Sequence, residues 1–192
     1  MKEALLTLPL LRTMASAPPV DDHEAKGIAS SEEIYDRHVV FVWRTLRALG
    51  ISGNALEDAV QDVFVVVHHS LASFEGRARV TTWLFEIARR VASNYRRSRP
   101  PSEELSAVED LRDPRPTPFD EAAATEAVQM LEQIIERLGE KYRVCFVLIE
   151  LEQMSAEEVA SVLGINVNTV YSRLHRARLE FDRLVARYGV DL

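Results

Sequence analysis

Apolar positions recur at helical spacing along most of the chain from Ile34 onward. Ile34, Val39, Val42, Leu46 and Leu49 form one series, Leu56, Val60, Val63 and Val67 a second, and Leu84, Ile87, Ala88 and Val91 a third. Steps of three and four place each series on one side of an α-helix, so the pattern predicts at least three helices packed together. The run VFVVV at 63–67 is β-branched enough for strand propensity to compete. The preceding ALEDAVQD flows into it without a turn signal, however, and predicts helix. From Pro100 to Glu121 the pattern stops, with Pro100, Pro101, Pro114, Pro116 and Pro118 among few apolar residues, which reads as a linker. Helical spacing resumes from about Ala122 to Leu192. The expected fold class is all-α: two small helical domains, 31–99 and 122–192, joined by a Pro-rich linker over 100–121 and preceded by a disordered arm over 1–30.

Composition supports this picture. Hydrophobic residues make up 47% and charged residues 28% of the 192, a globular make-up and neither a disordered nor a membrane one. The N-terminal ALLTLPLL is short, is interrupted by Pro9 and ends at Arg12, while Glu3 offsets Lys2. It makes a poor secretory leader and no membrane span, and reads as an arm, with Met14 as an alternative start. The single cysteine, Cys145, lies in the apolar run VCFVLIEL. A disulfide framework is thereby excluded, and an inert buried thiol in a reducing cytoplasm is expected.

Charge changes the picture more, because the net value of −7 hides a segregation. Residues 101–126 hold eight acids against Arg112 and Arg115, whereas residues 77–99 hold seven arginines against Glu86 alone. The linker is therefore a negative stretch, and the segment before it is strongly positive.

The stretch MSAEEVASVLGINVNTVYSRLHRARLEF at 154–181 has the marks of a helix-turn-helix. Ser155 and Glu158 form a capping box, Ala160 is small where two helices cross, Gly164 permits a left-handed turn, and Asn166 can cap the next helix. On that second helix Val170, Leu174, Ala177 and Phe181 make one narrow apolar face. Asn168, Thr169, Ser172, His175 and Arg176 point the other way, flanked by Arg173, and suit base edges and phosphates in a major groove. Leu179 breaks the polar face, so groove contact is expected to end before it. A solvated amphipathic helix would explain the charges alone, but not the coincidence of cap, Ala, Gly and apolar positions in one frame.

One such reader is not enough. Two or three good base contacts discriminate by about 3–6 kcal/mol, and selecting a genomic site takes about 4–10 kcal/mol. Either a dimer partner or a second DNA-contacting module is called for. Residues 74–99, FEGRARVTTWLFEIARRVASNYRRSR, interleave Phe74, Trp83, Phe85 and Tyr95 with the arginines, a composition suited to single-stranded or melting DNA. About half of these aromatics are expected in the core.

EDAVQDVF at 57–64, TTWLFEIAR at 81–89 and NTVYSRLHRARL at 168–179, in this order with an acidic linker between the last two, resemble the extracytoplasmic-function sigma factors of bacterial RNA polymerase, in the sigma-70 class. The resemblance covers about residues 31–188. It implies a transcription initiation factor that binds core polymerase and promoter DNA, is restrained by an anti-sigma factor, and has no catalytic residues, metal or cofactor. By position, Asp58, Gln61, Asp62 and Phe64 match the helix that docks on the polymerase. Phe74, Arg77, Arg79, Trp83, Arg89, Arg90, Asn94 and Arg97 fall on the elements that open and read the minus-ten DNA. Asn168, Thr169, Ser172, Arg173, His175, Arg176 and Arg178 fall on the minus-thirty-five reader. The acidic linker resembles those that occupy the polymerase's RNA exit path. The expected location is the cytoplasm, or the inner membrane face through an anti-sigma partner, with no membrane insertion of its own. Arg77 and Ala78 after Gly76, together with Arg90 and Tyr171, depart from common family residues, so no promoter sequence is implied.

Three other classes compete, one of them an anti-sigma-like adaptor, against which the intact DNA-reading face counts. A metal enzyme would have to use Asp62 with His69, or His68 with His69, and no third ligand is spaced to join them. A stand-alone helix-turn-helix regulator explains 155–181 equally well but leaves EDAVQDVF and the arginine-aromatic stretch unexplained.

Overall fold

The computed structural model describes residues 30–76, 78–98 and 126–188. These form seven α-helices and, among the described residues, no strand, in two compact units. The expected arm, the Pro-rich linker and Arg77 lie outside the described residues.

The N-terminal unit is a three-helix bundle of α1 (Ser31–Ala48), α2 (Asn54–Ser70) and α3 (Val80–Ser98), with a 3-10 turn at Leu71–Ser73, and each helix packs on the other two. Ser30 starts α1 by accepting the Glu33 amide at 3.2 Å, and Glu32 and Glu33 favour the positive end of the helix dipole. The β-branched run resolves as helix. Val63 and Val67 are fully buried while Val65 is 53% exposed, a period of four, whereas an alternating strand would put all three on one face. Ile34, Val42 and Leu46 of α1 and Leu84, Phe85 and Ala88 of α3 complete the core.

The C-terminal unit contains α4 (Glu126–Glu136), α5 (Glu140–Phe146), α6 (Ala156–Leu163) and α7 (Val167–Tyr188), with a π-helical stretch at Val147–Leu151 continuing α5. Leu131, Ile134, Phe146, Leu148, Val159, Val170, Leu174 and Phe181 form its core. The rings of Phe146 and Phe181 stack with centroids 4.9 Å apart. After the π stretch the chain turns at Gln153, whose φ is 54° and whose Nε2 donates to the Glu150 carbonyl at 2.7 Å. That turn delivers Ser155 to the start of α6.

The helix-turn-helix forms as the local signals require. Ser155 Oγ accepts the Glu158 amide at 3.2 Å, and the Ser155 amide donates to the Glu158 carboxylate at 2.7 Å. Gly164 ends α6 at φ 64°; a Cβ there would meet nothing within 4 Å, so the position needs glycine for its backbone conformation rather than for space. Asn166 Oδ1 accepts the Asn168 amide at 2.8 Å and thereby caps α7. Val170, Leu174, Ala177 and Phe181 are all buried, which seats α7 by the predicted face.

Candidate functional site

Three surfaces carry the residues singled out in the sequence. The first lies on α2, where Asp58, Gln61 and Asp62 are exposed within about one turn, facing away from Leu56, Val60 and Val63. Three polar groups so close together can meet basic side chains as one face. Phe64 flanks them half-buried, edge-on to the Tyr35 ring with centroids 4.7 Å apart. Val65, at 53% exposed, Val66 and Tyr35 extend this surface with apolar area, of which the sequence patterns did not single out Val65 and Tyr35. The available signal was a pair of valines off the core stripe of α2. His68 Nδ1 lies 3.1 Å from Ser31 Oγ and His69 is its ring neighbour. Among the described residues no three His, Cys, Asp or Glu side chains gather as a metal site would require.

The second surface is α3 and the loop before it. Phe74 and Trp83 are half-buried and stack on each other, with centroids 4.6 Å apart and planes 25° from parallel. Phe85 is fully buried. The core therefore takes Phe85, while Trp83 joins Phe74 in a flat aromatic pair at the surface. Arg79 is half-buried at the foot of the helix, and Arg89, Arg90, Asn94 and Arg97 are exposed along it. Arg89 pairs with Glu86 at 2.9 Å, and Arg97 donates to Asn94 Oδ1 at 2.5 Å. Tyr95, expected among the base-stacking aromatics, instead donates its hydroxyl to Asp62 Oδ2 on α2 at 2.8 Å. Partial burial, then the bond to Asp62 and the charges of Asp62 and Asp58, raise the phenol pKa to about 12.

The third surface is the first half of α7. Asn168, Ser172, His175 and Arg176 are exposed, Thr169 and Arg173 half-buried, and Tyr171 is 48% exposed beside them. Arg176 reaches the Tyr142 hydroxyl on α5, and this bond holds the phenol pKa below its ordinary value. Arg173 lies against Cys145, which is fully buried; burial pushes the thiol up, and Arg173 only partly opposes the shift. Arg178 is placed differently from the other reading residues. Its Nε donates to Oε1 of buried Glu150 at 2.8 Å, and its Nη2 reaches the same oxygen. Its guanidinium is thus spent on fixing α7 to the end of the π stretch. Leu179 is 52% exposed one residue further on, where the polar face was expected to end.

Two family models match the chain, one in each unit. The model of sigma-70 region 2 matches residues 34–100, and that of sigma-70 region 4 matches residues 128–181. The ECF RNA polymerase sigma-E factor of Haemophilus influenzae is 34% identical over 139 residues, which span 67% of this chain and 73% of that protein. The sigma-E factor of Escherichia coli is 34% identical over 138 residues, 67% of this chain and 72% of the relative. Among solved structures, the sigma factor RpoE of Bartonella quintana, in complex with the anti-sigma factor NepR, superposes with a TM-score of 0.65 at 22% identity, over 84% of this chain and 98% of that one. CnrH, in complex with the cytosolic domain of CnrY, superposes with a TM-score of 0.56 at 25% identity, over 93% of this chain and 98% of that one. A protein carrying both sigma-70 regions in this order, with these relatives, belongs to the sigma-70 family, as an extracytoplasmic-function sigma factor of RNA polymerase.

Proposed function

We propose that the two units divide promoter recognition by residue as follows. The chain is a transcription initiation factor that binds core RNA polymerase and directs it to specific promoters. Asp58, Gln61 and Asp62, flanked by Phe64, form the docking face for core polymerase. Arg79, Arg89, Arg90, Asn94 and Arg97 line the minus-ten reader, with Arg77 preceding them in the chain. The Phe74–Trp83 pair offers a stacking surface to bases leaving the duplex, which offsets an unstacking cost of a few kcal/mol. Asn168, Thr169, Ser172, His175 and Arg176 read the minus-thirty-five element from α7, with Arg173 alongside, and Arg178 holds that helix in place. The domain limits 31–99 and 122–192, with a linker over 100–121, belong to this proposal.

The observation that carries the docking assignment is the compact exposed polar face of α2, turned away from its core stripe. We assign the protein to the cytoplasm, where its polymerase target works; among the described residues no helix is long and apolar enough to cross a membrane. The role requires no catalytic residue, metal or cofactor on this chain. An anti-sigma factor is the proposed regulator, supported by the complex in which the Bartonella relative was solved. The acidic linker is proposed to repel DNA until polymerase sequesters it. Tight promoter binding by the isolated protein at physiological salt would contradict that restraint.

The test of the docking assignment is co-elution of the full chain with sigma-free core polymerase on a sizing column, beside Asp58→Ala/Asp62→Ala. Co-elution by the wild type and its loss in the folded double variant is the expected result. Equal co-elution by both would remove the docking role from α2.

A further inference from the structure

The bond between Tyr95 and Asp62 spans 33 residues of sequence and ties α3 to α2 at 2.8 Å. A base-stacking role for Tyr95 gives no reason for its hydroxyl to meet a carboxylate on the neighbouring helix. For Asp62 the bond matters. An exposed aspartate samples several rotamers, and a partner that binds it must fix one of them at a cost in side-chain entropy. A donor on an adjacent helix fixes the carboxylate beforehand. It occupies one oxygen, Oδ2, and leaves Oδ1 and the remaining lone pairs to accept from a basic group.

The donor itself is well anchored. Ala88, Val91 and Ala92, within two turns of Tyr95 on α3, are buried against the bundle. With its pKa at about 12, the phenol keeps its proton throughout the physiological range and remains a donor. The carboxylates of Asp62 and Asp58, which raise that value, are two of the three groups of the docking face itself.

We propose that Tyr95 is a positioning residue for polymerase docking: its hydroxyl holds the Asp62 carboxylate in the orientation in which, together with Asp58 and Gln61, it receives a basic side chain of core polymerase. This rests on the reading of α2 as the docking face. It makes α3 a contributor to polymerase binding as well as to DNA reading, through an atom that touches neither the polymerase nor DNA.

The experiment is a double-mutant cycle on affinity for sigma-free core polymerase, using the full chain as wild type, Tyr95→Phe, Asp62→Ala and the double variant. Phenylalanine keeps the ring and removes only the hydroxyl, and helical circular dichroism verifies that each variant is folded. Tyr95→Phe is expected to weaken core binding about two- to tenfold, the range that follows from ordering one side chain. Asp62→Ala should weaken it further, and adding Tyr95→Phe to Asp62→Ala should change nothing more. A Tyr95→Phe penalty of the same size in both backgrounds would make Tyr95 merely structural and overturn the proposal. Wild-type affinity for Tyr95→Phe with a loss for Asp62→Ala would overturn it and leave the docking face standing. An Asp62→Ala variant with wild-type affinity would remove the role of Asp62 in docking and this inference with it.

Discussion

In the N-terminal unit the acids of α2 stay at the surface, whereas in the C-terminal unit Glu150 is drawn inside, 9% exposed, and answered by Arg178. A carboxylate left in water has no desolvation penalty and can be offered to a partner. One taken inside must be matched within its own unit, because an uncompensated buried charge costs several kcal/mol. Both acids have a partner more than 25 residues away, Tyr95 for Asp62 and Arg178 for Glu150. The first bond lies on an exposed carboxylate, the second on a buried one. Position decides the role: the surface acid serves recognition, and the internal acid serves the placement of a reading helix.

This contrast is sharpened by substitutions whose effects should fall in a definite order. Glu150→Ala strands Arg178 in a half-buried position and should cost the C-terminal unit about 2–4 kcal/mol, at the lower side of buried-pair losses because Arg178 retains some water. Trp43 and Trp83 are the two tryptophans of the chain, and both lie in the N-terminal unit. In urea, the circular dichroism transition should therefore move to lower denaturant while the tryptophan fluorescence transition stays in place. Movement of both by the same amount would mean that the units unfold as one.

Gly164→Ala comes next, at about 1–2 kcal/mol. The added methyl meets no neighbour, so the whole loss is that of holding alanine at φ 64°. A variant as stable as wild type in the same circular dichroism titration would show that the turn relaxes to another conformation. Ser155→Ala removes the hydroxyl half of the capping box and should cost about 1 kcal/mol. Replacing it with aspartate, another good cap, should restore most of the loss.

The smallest effect belongs to the surface bond. The folded pKa of Tyr95, about 12, lies above the ordinary 10.0, so its contribution is complete below about pH 10 and is lost as pH rises from there toward 12. Tryptophan fluorescence melts of the full chain should therefore show the N-terminal unit weakening across that alkaline window. Tyr95→Phe should flatten this part of the profile while leaving stability near neutral pH almost unchanged. A large loss at neutral pH would place the Tyr95–Asp62 bond alongside Glu150–Arg178 as architecture.

The same contrast separates what the sequence makes legible from what it does not. The core stripes, the Ser155–Glu158 box, the left-handed Gly164 and the seat of α7 were all readable, because each depends on residues within about one or two helical turns of one another. The helical state of VFVVV was readable from its flanks for the same reason. The partners of Tyr95 and Arg178 were not, since nothing periodic links residues 62 and 95, or 150 and 178. Composition places Tyr95 among base-stacking aromatics and the resemblance places Arg178 on the minus-thirty-five reader; the fold gives each a carboxylate partner on another element. The pairing of Phe74 with Trp83 was equally invisible: aromatic content marked the region, but only the fold brings the two rings face to face. The exposure of Val65 is not legible either, because an apolar run reads as core until helical phase sorts its members.

Cys145 has a practical use that follows from its place beneath Arg173. A thiol without solvent exposure, and with its ionisation pushed to higher pH, offers almost no thiolate to an alkylating dye. The native chain is therefore already silent toward maleimide chemistry while folded. One cysteine introduced on the exposed side of α2 and another on α7 would be the reactive pair without any background substitution. Energy transfer between dyes at those two points would then follow the distance between the units as polymerase is added, in a molecule whose core has been left untouched.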